Sequence, residues 1–452
     1  MRKSTEPMTS GVIWKRMTFF ALPILLGNLF QQMYNTVDSL IVGNYLGSSS
    51  LAAVSSSGSL IFMLIGFLSG ISSGAGVVVA RLFGAKDIKT LQKAIHTTVA
   101  FGLVAGVLMT VLGVWLSPYI LTWMDTPESV MPESLSYLQV YVLGSLFFVM
   151  YNIFVGILQA VGNSKYPLYY LIVSSVINLV LDIVFIHNFH TGVWGAALAT
   201  VISQVFSAAL CFLQLTKTNE VYRLHIKKIA FDRKLLGEII KIGLPSGFQN
   251  SIIAFANVVV QSNVNAFGEM AMAGYGAYSK VEGFAFLPIN SFTMALTTFV
   301  GQNLGAKQYE RAKKGVRFGT LVAVVLAELI GVVVFIFAPQ FIAAFGPTVQ
   351  VVQFGIEKAR TAALFYCLLA YAHSIAAVLR GAGKALVSMI IMLAFWCVVR
   401  VTFLTITIPI THSIQMVYWV YPLTWALSSI AFTIYYKKSN WCNEEKQEQV
   451  TA

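Results

Sequence analysis

The sequence predicts an all-α integral membrane protein of twelve transmembrane helices, arranged as two six-helix bundles related by a pseudo-two-fold axis along the membrane normal. Three observations carry this prediction: the apolar composition, the placement of the basic residues and an internal repeat. Of the 452 residues, 57% are hydrophobic and only 11% are charged, whereas a soluble domain carries roughly 25% charged residues. A soluble fold of this length could not bury so much apolar surface.

Twelve apolar runs, separated by polar breaks, mark the predicted membrane spans. Along the chain they lie at 17–43, 53–80, 94–116, 135–161, 169–187, 193–216, 241–267, 274–300, 318–338, 357–379, 385–409 and 417–436. These lengths are close to the ~20 residues that cross a bilayer as a helix. An outer-membrane barrel would instead show alternating segments of about ten residues.

The basic residues lie almost entirely on one side of the predicted membrane. Of the 30 lysines and arginines, the exceptions are Lys280, Lys358, Arg360 and Arg400. Because cytoplasmic loops carry an excess of Lys and Arg, both termini and the 217–241 loop are predicted to be cytoplasmic. The formal charge of +12 is therefore mainly a topology signal, and nucleic acid is not an expected partner.

The two halves of the chain repeat one another at an offset of 221 residues. The clearest matches pair Gly84-Ala85-Lys86 with Gly305-Ala306-Lys307, Pro118 with Pro339, Gly162 with Gly383 and, with one residue of slip, Pro23 with Pro245. Each repeat holds an even number of spans, so both halves keep the same orientation in the membrane.

The repeat sets the predicted domains. They are an N-terminal bundle over 1–216, a cytoplasmic linker over 217–240, a C-terminal bundle over 241–438 and a cytoplasmic tail over 439–452. Two bundles that face each other across a cleft suit transport by alternating access. The alternative is a duplication that merely enlarged a membrane scaffold.

Asp38 and Asp182 are carboxylates at predicted membrane depth, where ionisable residues are costly and usually functional. Asn178 precedes Asp182 by one helical turn, and Thr200 opens a polar face on the sixth span. Hard cations such as Na⁺ prefer oxygen ligands, and two neighbouring carboxylates can equally share a proton. The alternative is a polar stripe that only joins helices.

The repeat restricts this site to the first bundle. At the 221-residue offset, Asp38, Asn178 and Asp182 correspond to Val259, Val399 and Phe403. The second half therefore lacks the acidic set.

Further polar residues in the spans are candidates for lining a substrate cleft. They are Gln31, Asn35, Asn257, Gln261 and Glu282. A cationic substrate would favour a carboxylate in the cleft, which is the argument for Glu282. The alternatives are hydrogen bonding between helices for the amides and an interfacial ion pair with Lys280 for Glu282.

Two other ionisable residues lie within predicted spans. Glu328 is expected to pack between helices, bonded or protonated, and Arg400 has no partner that the sequence identifies.

With these features the chain resembles the multidrug and toxic compound extrusion (MATE) family, from about Pro23 to the twelfth span. The resemblance rests on the parallel repeat, the basic loops RLFGAKD (81–87) and GQNLGAK (301–307), and the acidic residues of the first half. It implies a secondary active antiporter that exports cationic or amphipathic drugs and other toxic small molecules in exchange for Na⁺ or H⁺.

The resemblance also implies roles for individual residues. A first-lobe cation site, holding Na⁺ if the coupling ion is sodium, would use Asp38, Asn178, Asp182, Thr200 and the backbone carbonyl of Ala196. Pro23 would act as a hinge in the first span. One branch of the family carries a second acidic site with a glutamate in the seventh span, but the stretch 246–253 here has no acid.

Other classes of function remain as alternatives. A flippase-type exporter of a lipid-linked sugar would be expected to carry several cationic residues in its cleft. A membrane-embedded enzyme needs a nucleophile with a base, or a metal set, and neither is visible among the scattered cysteines and histidines. A passive channel fits twelve unique spans poorly. We therefore expect a monomeric transporter of the cell membrane that is not an enzyme and has no cofactor beyond its coupling ion.

The predicted topology can be tested with reporter fusions. Fusions at positions 130 and 229 should report opposite sides of the membrane, because an odd number of predicted spans separates these loops. Alkaline phosphatase and fluorescent-protein activities measure the two sides. Equal localisation of both fusions would contradict the twelve-span arrangement.

Overall fold

The computed structural model describes residues 7–46, 48–124, 126–128, 130–345 and 348–442; the side chains at 39–40, 43–44, 48–49, 51–53, 55–60 and 62 lie outside that description. The predicted tail at 439–452 therefore falls outside it from residue 443 onward. Every regular element of the described residues is helical. The chain divides into two compact units: residues 26–243 form the first unit, and residues 7–25 and 244–442 belong to the second.

The first half of the chain forms the helices α1 to α7. Their bounds are Ile13–Leu46 (α1), Ser48–Ala85 (α2), Ile88–Trp123 (α3), Met131–Leu143 (α4), Ser145–Ala160 (α5), Lys165–Ile183 (α6) and Val193–Lys217 (α7). The short helices α4 and α5 meet at Gly144 with a bend of 48° and make one broken span. A π-helical turn over Val184–Asn188 extends α6.

The second half forms α8 to α15. Their bounds are Arg233–Asn265 (α8), Glu269–Gly305 (α9), Tyr309–Ala343 (α10), Val349–Ala362 (α11), Tyr366–Gly381 (α12), Ala385–Leu393 (α13), Arg400–Thr411 (α14) and Gln415–Lys438 (α15). A 3₁₀ turn over Ala363–Phe365 joins α11 to α12, and a π-helical turn over Ala394–Val399 joins α13 to α14. Each of these joined pairs forms one long span.

These helices account for the twelve predicted spans. Among the described residues, nine helices are long and apolar enough to cross a membrane, and the bent pair α4–α5 makes ten. The remaining two are α1 and α8, which are long enough but carry polar faces, with Asn28, Gln31 and Asp38 on α1 and Asn250 and Asn257 on α8. The predicted fold class of twelve helices in two bundles is confirmed.

The internal repeat is visible in the backbone. Lys86, between α2 and α3, and Lys307, between α9 and α10, both have φ of 57°. A positive φ is uncommon for a residue with a Cβ, so its recurrence at matching positions is specific. The two halves build this turn in the same way.

The units do not begin and end where the sequence-predicted domains do. Residues 7–25 pack with the second unit, and the amide of Met8 donates to Gln302 Oε1 at 2.8 Å. Helix α1 therefore passes from one unit to the other after Leu25, and α8 does so after Gly243. Pro23 and Pro245 lie two residues from these crossings.

The predicted linker at 217–240 is an ordered part of the first unit. The amide of His225 donates to His96 Nε2 at 3.0 Å, and that of Asp232 donates to Thr97 Oγ1 at 3.0 Å. Asp232 also accepts from the amides of Lys234 and Leu235 at the start of α8. These bonds fix the segment onto α3.

Glu328 has the packing role expected of it. Its Oε2 accepts from the backbone N–H of Cys367 at 2.9 Å, in the first turn of α12. Because the first N–H groups of a helix have no partner within the helix, this carboxylate joins α10 to the start of α12.

Two glycines let α2 and α8 approach closely inside the first unit. A Cβ placed on Gly74 would meet the backbone of Gly243, so neither chain could retain its position. Gly237, on the same face-forming helix α8, has open space around its Cα.

Gly74→Ala should lower the free energy of unfolding by about 1–3 kcal/mol, because overpacking displaces backbone. Gly237→Ala serves as the matched control and should be neutral or stabilising by roughly 0.5–1 kcal/mol, since Ala favours the helix. Thermal unfolding of the detergent-purified variants measures both. Equal melting temperatures for the two would show that α2 and α8 do not pack through these glycines.

Candidate functional site

The site is built where α6 lies beside α7 in the first unit. Asn178 and Asp182 stand one turn apart on α6, and both side chains are buried. Thr200 stands on α7, one turn after Ala196. The spacing of four residues places each pair on one helical face, so the two polar pairs can meet across the contact between the helices.

Asn178 links these two helices. With its amide in the orientation that its neighbours favour, the nitrogen donates to Asp182 Oδ2 at 3.2 Å and the oxygen accepts from the Thr200 amide at 3.2 Å. The Thr200 hydroxyl donates to the Ala196 carbonyl at 3.1 Å. The lone pairs of this hydroxyl therefore remain available to a cation.

Asp38 joins the group from α1. A hydrogen bond links the Asp38 and Asp182 carboxyl groups, and such a bond requires a proton on one of them. Oδ1 of each aspartate is buried and has no hydrogen-bond partner. Two carboxyl oxygens thus point into the site without a donor.

The surroundings of the site are apolar. Val42, Leu138, Ile186, Val193 and Ala197 belong to the buried cluster that contains Ala196. Two carboxylates close together in such a low dielectric repel each other, and a proton or a metal cation between them relieves the repulsion. The residue types present therefore fit a bound cation.

The structure thus brings together all five residues predicted for the cation site. Across the described residues, no group of three or more His, Cys, Asp or Glu side chains could hold a metal ion. A Na⁺ here would depend on two carboxylates together with amide, hydroxyl and carbonyl oxygens, which are hard ligands of the kind such ions take.

Pro23 is buried within α1, which continues as a helix through it. Because proline lacks an N–H, the carbonyl four residues before it loses its helical partner. Pro23 lies in the part of α1 that belongs to the second unit, whereas Asp38 lies in the part that belongs to the first.

The candidate cleft residues fall in both units. Gln31 and Asn35 are exposed on α1 in the first unit. In the second unit, the exposed Asn257 accepts from Arg400 Nη1 at 3.4 Å. Gln261 donates to Asn265 at 2.9 Å, and Glu282 accepts from the Tyr278 hydroxyl at 3.1 Å. Three of the five thus have side-chain partners in their own unit.

A second cluster of ionisable residues was not predicted. Glu282, Lys358 and Arg400 lie together in the second unit among tyrosines of α9 and α15. Lys358 is an exception to the one-sided placement of basic residues, and that was the signal in the sequence that could have revealed it. Its burial depends on tyrosines that come from distant parts of the chain.

The family model described as MatE matches the chain twice, at residues 23–184 and 245–406. The start and end points of these matches correspond with one residue more than the offset of 221 that the loops show. In the register of the matched ends, Asn178 corresponds to Arg400 and Asp182 to Leu404, which corrects the assignment to Val399 and Phe403. No acidic residue is gained, but a buried arginine takes the place of Asn178.

Several curated proteins are similar over most of the chain. The probable multidrug resistance protein YoeA of Bacillus subtilis is 29% identical over 97% of this chain and 97% of its own length. The probable multidrug resistance protein NorM of Thermotoga maritima is 24% identical, over 85% of this chain and 83% of its own. The multidrug export protein MepA of Staphylococcus aureus is 25% identical, over 66% of each chain.

Solved structures share the fold. A MOP superfamily transporter from Pyrococcus furiosus aligns with a TM-score of 0.89 at 23% identity, over 95% of this chain and 96% of its own. An outward-facing multidrug resistance MATE family transporter aligns with a TM-score of 0.88 at 23% identity, over the same shares.

Proposed function

This chain belongs to the MatE family of multidrug and toxic compound extrusion transporters, and from that premise we propose that it exports cationic or amphipathic small molecules in exchange for Na⁺ or H⁺. The relatives reported above are described as multidrug proteins, which favours drug export over the lipid-linked sugar alternative. The transported molecule is a small-molecule substrate, and the multi-pass chain works within the lipid bilayer.

One observation carries the coupling proposal: the two buried Oδ1 atoms of Asp38 and Asp182 have no donor. A buried charge persists only when it is paired or used. A carboxyl group without a donor, next to a second carboxyl group, is an acceptor site for a cation. The carboxyl–carboxyl hydrogen bond favours a proton, and the oxygens of Asn178, Thr200 and Ala196 provide further ligands if the ion is Na⁺.

Loading and unloading this site would change the charge between α1 and α6. A ligand shifts a conformational equilibrium only by its difference in affinity for the two states. The cation would therefore bind more tightly in one packing of the helices than in another, and alternating access would follow from that difference. Substrate and cation would compete for the states in which each binds.

The connections between the units are the proposed flexible points. Each is a helix with a proline close to the crossing, Pro23 on α1 and Pro245 on α8. A missing helical hydrogen bond at each proline lowers the cost of bending there. Pro23 is then a hinge on the same helix that carries Asp38.

The substrate would contact the polar residues of α1, α8 and α9. Gln31, Asn35 and Asn257 expose their amides, and Glu282 would provide the carboxylate for a cationic group. We further propose that the protein acts as a monomer in the cell membrane, with both termini in the cytoplasm.

Asp38→Asn and Asp182→Asn should each abolish cation-driven export. Asn preserves the shape of the side chain but removes the charge that a cation would neutralise, so both variants should still insert. Efflux from proteoliposomes, with Na⁺ and pH gradients imposed separately, measures this. Asp87→Asn is the matched control, because Asp87 caps α3 at its exposed start and Asn caps a helix equally well.

Wild-type export by both variants under either gradient would place the coupling site elsewhere, with Glu282 as the next candidate. Inactive Asp87→Asn protein would instead indicate a general effect of the substitution.

Thr200→Val distinguishes the two coupling ions. A proton shared by Asp38 and Asp182 does not need the Thr200 hydroxyl, so export driven by a pH gradient should remain within about twofold of wild type. A Na⁺ ion would lose one oxygen ligand, and Na⁺-driven export should fall at least about tenfold.

Thr216→Val provides the matched control for this change. The Thr216 hydroxyl donates to the Phe212 carbonyl one turn before it, also on α7, which is the bond that Thr200 makes to Ala196. Loss of proton-driven export in Thr200→Val but not in Thr216→Val would contradict coupling through a shared proton.

A further inference from the structure

Three buried hydrogen-bond donors in the second unit have no acceptor. They are Lys358 Nζ on α11, Arg400 Nε on α14 and Tyr418 Oη on α15. Lys358 and Tyr418 are fully buried, and Arg400 is 1% exposed. An unsatisfied buried polar group costs free energy, and a charged group costs more than a neutral one.

Lys358 is held by aromatic rings. Its Nζ lies 3.5 Å from the centroid of the Tyr421 ring, and 5.6–5.8 Å from the rings of Tyr275, Tyr278 and Tyr418. Ring faces attract a cation. However, they do not replace the three hydrogen bonds that an ammonium group donates.

Arg400 shares one of these rings. Its Cζ lies 4.4 Å from the centroid of Tyr421, so it is no farther from Lys358 Nζ than the two centroid distances combined. Its Nη2 donates to Thr424 at 3.0 Å and its Nη1 donates to Asn257. Two cationic groups are therefore held close together, with only neutral hydrogen-bond partners.

The acidic groups nearby do not balance them. Glu282 accepts from Tyr278, whose hydroxyl also bonds Tyr366. Glu357, the neighbour of Lys358 in sequence, accepts from Gln415 at 3.0 Å. Within the described parts of the chain, no carboxylate oxygen lies within ion-pair distance of Lys358 or Arg400.

We propose that the cluster of Lys358, Arg400 and Tyr418 binds a monovalent anion, with Lys358 as its main partner. The unsatisfied atoms are all donors, and two of the three groups are cationic. An anion would accept from them and relieve the repulsion between the two cations, whereas a metal cation would add to it. The proposed ligand is a halide ion or the carboxylate of an organic acid, which share this chemistry.

The cluster reaches the surface of its unit. Asn257, which accepts from Arg400, is exposed, and Glu282 is partly exposed. An anion could therefore arrive beside Arg400 and Glu282. This site is separate from the aspartates of the first unit, so it does not depend on the coupling ion proposed above.

Anion binding to the purified full-length protein tests the proposal directly. The thermal unfolding midpoint would be followed during titration with chloride, acetate and benzoate, at constant Na⁺ and ionic strength, with bulky gluconate as the balancing anion. Chloride or a carboxylate should raise the midpoint in a saturable way, because a ligand that binds only the folded state stabilises it by mass action. The chloride and carboxylate arms identify which source of negative charge the site prefers.

Variants of the cluster should change the affinity in opposite directions. Lys358→Met should weaken anion binding at least about tenfold, because a charged partner is lost. Glu282→Gln should tighten it, because a competing negative charge is removed. Lys280→Met is the matched control, since Lys280 is exposed on α9, and it should leave the affinity unchanged.

The proposal is wrong if wild-type protein responds to chloride, acetate and benzoate only as it does to gluconate. It is also wrong if Lys358→Met titrates like the wild type. Should Lys358→Met fail to fold, Glu282→Gln decides: unchanged or weaker binding in that variant overturns the proposal.

Discussion

A polar group inside a membrane-spanning bundle has no bulk water to bond, so its partners must come from the chain or from a ligand. Most hydroxyl groups in these helices meet this constraint locally. Thr216, Thr405 and Thr433, for example, each donate to a carbonyl one turn earlier. Charged groups cannot be satisfied so simply, because they need several partners. Their placement therefore shows where the two bundles depart from simple helix packing.

Each bundle gathers charged groups of one predominant sign. The first bundle holds Asp38 and Asp182 with unsatisfied acceptors, and the second holds Lys358 and Arg400 with unsatisfied donors. The matched family segments place Arg400 where the first half has Asn178. The same backbone repeat thus supports opposite local electrostatics, because a few substitutions on facing helices change the sign while the apolar contacts that fold each bundle remain.

The sequence predicts the fold well because hydropathy, basic loops and the repeat act over long segments. The cation site was also predictable, since Asn178 and Asp182 lie one turn apart on one helix and Asp38 stands alone on an otherwise uncharged span. The second cluster was not, because Lys358, Arg400 and Tyr421 lie on α11, α14 and α15 and meet only after folding. The register of the second half was off by one residue near Arg400, where a π-helical turn over Ala394–Val399 interrupts the regular period. The docking of 217–240 onto α3 depends on side chains such as His96 and Thr97, whose partners are remote in sequence.

Unsatisfied groups in the first bundle also indicate how binding could act on conformation. A buried acceptor without a partner costs about 1–3 kcal/mol, and more when it is charged. Two such oxygens, on Asp38 and Asp182, therefore destabilise this packing by several kcal/mol whenever the cation is absent. Shifting a two-state equilibrium from 1:99 to 99:1 requires about 5.5 kcal/mol of differential binding. The desolvation of two carboxyl groups is of that order, so a cation that satisfies them in one packing, and meets hydrated carboxylates in another, could supply most of the free energy that the conformational switch needs.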